Sequence, residues 1–334
     1  MDELRDIFVE VTNCCYQKCM HCSSCAEAGS YPEINLTDLK KVVNEALPLG
    51  LKNIILSGGE PFVYPHLLDA IDFFYKHRLT TSIYTCGVIK NATGNLSSID
   101  ESIFLALKKR NIQKLIFSLH GSNPEMQDKI ANIESSFDLV MQSLKNALQV
   151  GLHVELHVVP MRVNLNDLEN ILRLAENHGI QHVSFLRFVP QGRGDLAMEP
   201  TKEEYLTLRE KHVKWKEKFN DIYIRFGTPY NCLTFDGKRC TAGQNKILIN
   251  AYGECFPCEA FKFMRGHRPT IYDATIKDIW EKDVLLNELR KLHIEDISIC
   301  NSCAFHSKCR GGCAGQRLQR NGSLMKGPDP GCLL

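Results

Sequence analysis

The first two-thirds of the chain alternates short apolar runs with longer stretches whose apolar residues recur every three or four positions. The short runs predict β-strands and the longer stretches predict amphipathic helices. The predicted strands cover residues 7–11, 53–56, 81–84, 114–119, 153–159 and 182–188. The predicted helices cover residues 36–47, 66–77, 101–109, 136–150 and 166–178. Such alternation predicts an α/β fold with a parallel sheet, and six units fall short of a closed eight-unit barrel. We therefore predict a partial, open (β/α)6 TIM-like barrel.

The pattern changes after residue 193. Residues 201–219 form a highly charged periodic stretch, which predicts a helix that bridges to a second region. From about residue 230 the chain is rich in cysteine and glycine and has few long periodic stretches. A small domain with a thin apolar core usually needs metal to hold it together. We predict two domains, a barrel over residues 1–225 and a small Cys-rich, metal-binding domain over residues 226–334.

Composition and charge exclude several classes of protein. The formal net charge is +1, which gives no support for a nucleic-acid partner or an anionic membrane surface. No apolar run approaches the length of a transmembrane helix. The first residues, beginning Met1-Asp2, lack the basic and apolar segments of a signal peptide. These observations predict a cytoplasmic protein.

The cysteines depart from this ordinary composition. There are 15 of them, an odd number, in a chain without an export signal. Secreted disulfide scaffolds are short and loop-rich, and disulfides are rare in the reducing cytosol. So many thiols therefore predict ligation of metal ions or iron–sulfur clusters.

A first group of thiols follows the first predicted strand. Cys15, Cys19 and Cys22 have the spacing CxxxCxxC, and loops at the carboxyl ends of barrel strands are where active sites lie. Three thiolates can hold three irons of a cubane and leave the fourth iron open. Structural zinc and closed clusters prefer four protein ligands, and Cys14 or Cys25 could supply a fourth thiol. Spacing alone leaves an open cluster, a zinc site and free thiols as alternatives.

A glycine pair follows the second predicted strand. Gly58 and Gly59 let the backbone approach a ligand closely, and Glu60 can accept a hydrogen bond from a cationic amine. A plain turn is the alternative for an isolated glycine pair. Here the pair and the first thiol group follow successive strands, so both are expected at the same mouth of the barrel.

These two segments together resemble the radical S-adenosylmethionine (SAM) superfamily. The resemblance implies that Cys15, Cys19 and Cys22 bind a [4Fe–4S] cluster whose fourth iron is chelated by SAM. It places His21, in the slot before the third cysteine, near the adenine. It implies that the remaining SAM-binding residues are Gly58, Gly59, Glu60, Ser118 and Arg187. Cys86 stands where the family commonly has Thr-Asn-Gly, and we consider it a candidate catalytic hydrogen-atom donor, with packing or SAM contact as the alternatives.

Eight further cysteines follow residue 239. By spacing alone, their CxxC pairs are compatible with zinc ribbons. Their order resembles the SPASM extension of radical SAM enzymes, which implies two auxiliary [4Fe–4S] clusters. The inner cluster would take Cys240, Cys258 and Cys313, with Cys255 as its fourth ligand and Cys232 as the competitor for that place. The outer cluster would take Cys300, Cys303, Cys309 and Cys332. We interpret Cys14, Cys25, Cys86 and Cys232 chiefly as small buried residues.

The resemblance implies an enzyme with three [4Fe–4S] clusters that cleaves SAM reductively to a 5′-deoxyadenosyl radical. That radical would abstract a hydrogen atom from a peptide or protein, as in modification of ribosomal peptides, with electrons from a donor such as flavodoxin or ferredoxin. The alternatives are a sulfatase-maturase-like enzyme and an enzyme acting on a small molecule. A non-enzymatic iron–sulfur or zinc protein is the alternative from another class, although a mere electron carrier has no use for a site open to SAM.

Overall fold

The structure is a computed structural model that describes residues 3–29 and 31–334. Within these residues the strands are β1 (Asp6–Thr12), β2 (Asn53–Gly58), β3 (Thr80–Thr85), β4 (Val88–Lys90), β5 (Leu96–Ser98), β6 (Lys114–Ser118), β7 (Val154–Val158), β8 (His182–Phe185), β9 (Tyr223–Phe226), β10 (Lys246–Ile249) and β11 (Cys255–Phe256). Met1 and Asp2, on which the expectation of no signal peptide partly rests, lie outside the described residues.

The α-helices of the described residues surround this sheet and continue into the C-terminal region. They are α1 (Leu36–Ala46), α2 (Leu67–Lys76), α3 (Glu101–Lys108), α4 (Pro124–Ala131), α5 (Ser136–Val150), α6 (Leu168–Asn177), α7 (Lys202–Lys218), α8 (Asn231–Thr234), α9 (Ile276–Lys282), α10 (Val284–Lys291), α11 (His306–Cys309) and α12 (Ala314–Asn321). None of them is long and apolar enough to cross a membrane.

The central sheet has nine strands in the order β11-β10-β1-β2-β3-β6-β7-β8-β9. All neighbouring pairs run parallel except β10 and β11. The six strands from β1 to β8, without the separate β4–β5 hairpin, each follow the βα order that the sequence predicts. The predicted fold class is confirmed as a partial (β/α)6 barrel followed by a Cys-rich C-terminal region.

Local sequence explains why the elements begin and end where they do. The side chain of Asn35 accepts a hydrogen bond from the Asp38 backbone N–H and caps α1. Thr201 and Glu204 form a reciprocal capping box at the start of α7. Apolar residues on the inner helix faces pack on strands whose side chains are almost wholly buried, as in β7.

Each edge of the barrel sheet carries a strand that periodicity did not reveal. Strand β9 pairs with β8, and only alternate residues of this four-residue strand are buried. Strand β10, from the C-terminal region, pairs with β1 and carries β11 beside it. The predicted domain boundary between residues 225 and 226 falls within β9 and stays a prediction.

Candidate active site

A cavity of about 290 Å³ lies at the carboxyl ends of the barrel strands. Residues that follow β1, β2 and β3 line it together with residues from β6, β7 and the segment after β8. Its walls include most of the predicted site: Cys15, Cys19, His21, Cys22, Gly58, Gly59, Cys86, Ser118 and Arg187. These predicted residues are up to 172 positions apart in the chain (187 − 15) and meet at one mouth, as expected for strands of a parallel barrel.

The loop that carries the three thiols is fastened by backbone groups of the barrel. The Gly59 N–H donates to the Thr12 carbonyl oxygen over 2.7 Å, and the Glu60 N–H donates to that of Cys14 over 2.8 Å. On the other side, Arg193 donates from Nε to the Cys19 carbonyl oxygen at 2.9 Å and from Nη2 to another loop carbonyl. The loop position is thus fixed from both sides without use of the thiols.

The structure explains the two glycines by contacts within the protein, whereas the sequence suggested the close approach of a ligand. Gly58 has a φ of 132°, which an L side chain rarely adopts. At Gly59 a Cβ atom would overlap the carbonyl group of Cys14. The glycine pair is therefore required by the close approach of the thiol loop to the end of β2.

We expect Gly59→Ala to displace the thiol loop and to lower the iron content by about four atoms, the content of one [4Fe–4S] cluster. The measurement is an iron count on the anaerobically reconstituted protein. Gly227→Ala is the matched control, because a Cβ there meets its nearest neighbour at 3.5 Å, an ordinary contact. Unchanged iron in Gly59→Ala, at control level, would contradict the tight contact with Cys14.

The chemistry of the three thiols fits a cationic iron cluster. Burial raises the pKa of Cys19 well above its usual range, and the neighbouring Cys15 and Cys22 thiolates raise it further. Burial also raises the pKa of Cys22. Such buried thiols ionise only beside a positive partner, which ferric and ferrous ions supply.

The carboxylate of Glu60 does not face the cavity. The residue is fully buried, and burial raises the pKa of its carboxyl group. Its oxygens accept hydrogen bonds from the Thr85 hydroxyl at 2.9 Å, the Cys86 backbone N–H at 2.7 Å and the Phe62 backbone N–H at 3.1 Å. Glu60 thus joins the ends of β2 and β3, and this placement does not support its predicted contact with the SAM amino group.

Cys86 lies beside the thiol loop at the end of β3. Its Sγ atom is 4.0 Å from that of Cys15, and its side chain lines the cavity. The bond from its backbone N–H to Glu60 fixes its position. The role of Cys86 as a hydrogen-atom donor stays a prediction, now with a defined place at the edge of the site.

Two cavity histidines were missed by the sequence analysis. His120 follows β6 and packs edge-on against His21, with ring centroids 4.3 Å apart, and His157 lies on β7. Burial lowers the pKa of His21 to about 4 and, more strongly, that of His157 to about 3. Both imidazoles are therefore neutral near pH 7. Among the described residues, neither the His21 Nδ1 nor either ring nitrogen of His157 has a hydrogen-bond partner, although His157 Nε2 lies 3.8 Å from the Glu155 carboxylate.

A buried ion pair joins the cavity wall to the C-terminal region. The Lys262 ammonium lies 2.5 Å from the Glu10 carboxylate on β1 and donates to the Ser24 hydroxyl at 2.6 Å. The Ser24 hydroxyl in turn donates to the same Glu10 oxygen at 2.9 Å. All three residues are almost fully buried and line the cavity.

Arg187 lines the cavity, and one nitrogen of its guanidinium group, Nη1, is engaged by the C-terminal part of the chain. Nη1 lies 2.6 Å from the carboxylate of Asp329 and donates to the Pro229 carbonyl oxygen at 3.1 Å. Both charged side chains are at most 2% exposed. This pair connects the segment after β8 to the last residues of the chain.

The C-terminal cysteines form two groups, and none of the fifteen cysteines, all of them in described residues, forms a disulfide. A pocket brings together the predicted outer ligands Cys300, Cys303, Cys309 and Cys332, and Cys232 also lines it. The predicted inner ligands Cys240 and Cys313 both raise the pKa of Cys258, after the larger effect of burial, which indicates that the three thiols are neighbours.

Cys255 and Cys232 do not join the inner group as expected. Cys255 is fully buried in the main apolar core, and the charges that act on its thiol belong to Arg268, Asp283 and Glu254 rather than to other cysteines. Cys232 faces the outer pocket. The structure therefore gathers three of the predicted inner ligands and adds a fifth thiol to the outer group.

Comparison with known proteins agrees with this arrangement. The family model of the radical SAM superfamily matches residues 9–175, half of the chain, and the SPASM model of an iron–sulfur cluster-binding domain matches residues 240–304. The chain is 25% identical to mycofactocin maturase MftC of Mycobacterium tuberculosis, over 97% of this chain and 81% of the relative. It is 24% identical to the PqqA peptide cyclase of Granulibacter bethesdensis, over 98% of this chain and 87% of the relative.

Two further comparisons bear on substrate and fold. The chain is 23% identical to the AdoMet-dependent heme synthase of Methanosarcina barkeri, over 97% of this chain and 95% of the relative. Among solved structures, SuiB of Streptococcus suis bound to its precursor peptide SuiA superposes with a TM-score of 0.80 at 18% identity, over 100% of this chain and 77% of SuiB. At that identity the superposition shows a shared fold.

Proposed function

The chain belongs to the radical SAM superfamily and carries a SPASM iron–sulfur cluster-binding domain, so it is an enzyme, and we propose that it modifies a peptide or protein substrate. One observation carries this proposal: three thiols, the Gly58-Gly59 pair and neutral histidines line a single cavity. We further propose that its substrate is a ribosomal peptide that undergoes post-translational modification.

Cys15, Cys19 and Cys22 would hold the catalytic [4Fe–4S] cluster. With SAM bound, that cluster would supply the electron for reductive cleavage of SAM, and hydrogen-atom abstraction from the substrate would follow. Gly59 and Arg193 hold the thiol loop in place from the two sides described above. Ser118 and His21 line the cavity and would contact SAM. Gly58 and Gly59 would lie next to the methionine part of SAM.

The C-terminal thiols would hold two auxiliary [4Fe–4S] clusters, for a total of three. Cys240, Cys258 and Cys313 belong to the inner set in this proposal, with the fourth position supplied by a group other than the core-facing Cys255. Cys300, Cys303, Cys309 and Cys332 belong to the outer set. The domain boundary near residue 225, a flavodoxin or ferredoxin as electron donor and a cytoplasmic location complete the proposal, because unpaired thiols persist in a reducing compartment.

The names of two relatives support a peptide or protein substrate. One relative is a maturase and another is a peptide cyclase, and this chain aligns with each over most of its length. A tetrapyrrole substrate is the second candidate. It is favoured by the alignment with the heme synthase, of which this chain spans 95%.

The test is anaerobic incubation of the iron-loaded enzyme with SAM, a strong reductant and a deuterated candidate substrate. We expect 5′-deoxyadenosine to form and to carry deuterium when the substrate is a deuterated precursor peptide. Deuterium transfer from an iron tetrapyrrole instead would establish the second candidate. Absence of 5′-deoxyadenosine from the fully iron-loaded protein would contradict reductive SAM cleavage at this site.

A further inference from the structure

The carboxylate of Asp329 lies between the two groups of C-terminal thiols. Its side chain accepts hydrogen bonds from the backbone N–H groups of Cys313 and Gly331. Its backbone carbonyl oxygen accepts from the Cys332 N–H at 2.9 Å. Cys313 is a proposed inner ligand and Cys332 a proposed outer ligand, so one acidic residue is bonded to a ligand of each set.

The surrounding backbone is shaped to hold this carboxylate and its partner. Gly312 has a φ of 66°, and a Cβ atom there would overlap the Asp329 side chain. A Cβ atom at Gly331 would overlap the guanidinium group of Arg187. Two glycines thus make room for the ion pair, which is 2.6 Å between Arg187 Nη1 and Asp329 Oδ1.

The charge of Asp329 lies beside residues of both sets. Its carboxylate accepts a hydrogen bond from the Cys313 N–H, and its backbone carbonyl oxygen accepts one from the Cys332 N–H. The Asp329 side chain is only 2% exposed, and an unbalanced charge acts strongly in a buried setting. Arg187 provides the balancing charge, and it also lines the active-site cavity.

We propose that the Arg187–Asp329 pair sets the reduction potentials of both auxiliary clusters. A carboxylate beside a cluster disfavours the gain of an electron, and a guanidinium group paired with it cancels that effect. Because Arg187 reaches the cavity wall, the pair links the site of chemistry to both electron acceptors. Arg187 and Asp329 are positioning residues in this inference, which rests on the proposed assignment of the C-terminal thiols to two clusters.

The test is a potentiometric titration of the iron-loaded enzyme, followed by electron paramagnetic resonance. Arg187→Gln leaves Asp329 unbalanced and should lower both auxiliary potentials. Asp329→Asn removes one of the two carboxylates beside Arg187, the other being Glu199 at 3.8 Å from Nη2, and should raise both. We expect at least a tenfold change in the reduced-to-oxidised ratio at a fixed potential, which corresponds to about 59 mV for a one-electron couple. The Arg187→Gln/Asp329→Asn double variant should return towards the wild-type values.

Asp283→Asn is the matched control. Asp283 and Arg268 form a similarly buried ion pair, 2.9 Å apart, in the same C-terminal region. The charge of Asp283 acts on Cys255, which lies apart from both thiol groups. The control should leave both auxiliary potentials unchanged.

The outcomes separate this inference from the proposed function. Lack of two auxiliary cluster signals in the wild-type enzyme would refute the cluster assignment and, with it, the inference. Two auxiliary signals whose potentials stay fixed in the variants, or move in the same direction in both single variants, would overturn the inference alone. If Arg187→Gln loses iron, the comparison of Asp329→Asn with the double variant decides, because only a charge effect predicts that the second substitution reverses the first.

Discussion

Simultaneous replacement of Cys15, Cys19 and Cys22 by alanine is expected to abolish 5′-deoxyadenosine formation while most of the iron stays bound. On the proposal of three clusters, about eight of about twelve irons should remain. The physical reason is that the two C-terminal thiol groups lie on a different part of the chain from the loop after β1. Their surroundings include a separate apolar cluster built around Phe256, Phe261 and Leu289.

The measurement combines an iron count with detection of 5′-deoxyadenosine on the anaerobically reconstituted variant. The matched control is Cys14→Ala/Cys25→Ala, which removes two thiols of the same loop that the proposal does not assign to iron. The control should keep all of the iron and its activity. Loss of all iron from the triple variant would show that the auxiliary sites depend on the first one, and full activity would refute the proposed ligands.

The sequence predicted the barrel and the position of its mouth because those depend on local regularities. Alternating strand and helix periods identified the six βα units, and the three thiols follow β1 while the glycine pair lies at the end of β2. Parallel strands bring such segments together whatever their separation in the chain. The gathering of Cys15, Gly58, Cys86 and Ser118 at one cavity follows from topology alone.

The direction of individual side chains was not predictable in the same way. Glu60 follows a glycine pair at a strand end, yet its carboxylate is turned inward by donors on the next strand. Cys255 and Cys258 have the spacing of a ligand pair, but β11 places Cys255 in the main core. Strand β7 is buried on both faces, so no alternation marks His157 as a cavity residue.

The spacing of residues in the sequence did not predict contacts between distant segments. Lys262 and Glu10 are 252 positions apart, and Arg187 and Asp329 are 142 positions apart (329 − 187). Both pairs join the barrel to the C-terminal region. A buried charge in such a pair needs its partner, since water is excluded from both. Buried ion pairs therefore attach the barrel to the C-terminal region, and each part supplies one charge of each pair.

We expect Lys262→Met to be strongly destabilising for this reason. Methionine fills a similar volume, but Glu10 would be left as a buried carboxylate whose one remaining side-chain donor, within residues 3–29 and 31–334, is the Ser24 hydroxyl. Removal of one partner of a buried ion pair costs about 3–5 kcal/mol of unfolding free energy. For a chain of this length, that corresponds to a fall in apparent Tm of roughly 4–7 °C.

Differential scanning calorimetry on the iron-loaded protein measures the effect, and two further variants test its cause. Lys282→Met removes an ammonium group from an exposed pair with Asp278, where the side chains are 74% and 44% exposed, and should cost less than about 1 kcal/mol. Glu10→Gln combined with Lys262→Met removes both buried charges and should recover most of the lost stability. If the double variant is as unstable as Lys262→Met, the loss of stability comes from altered packing around residue 262 and not from an unpaired charge. If Lys262→Met matches Lys282→Met, the buried pair contributes nothing to that attachment.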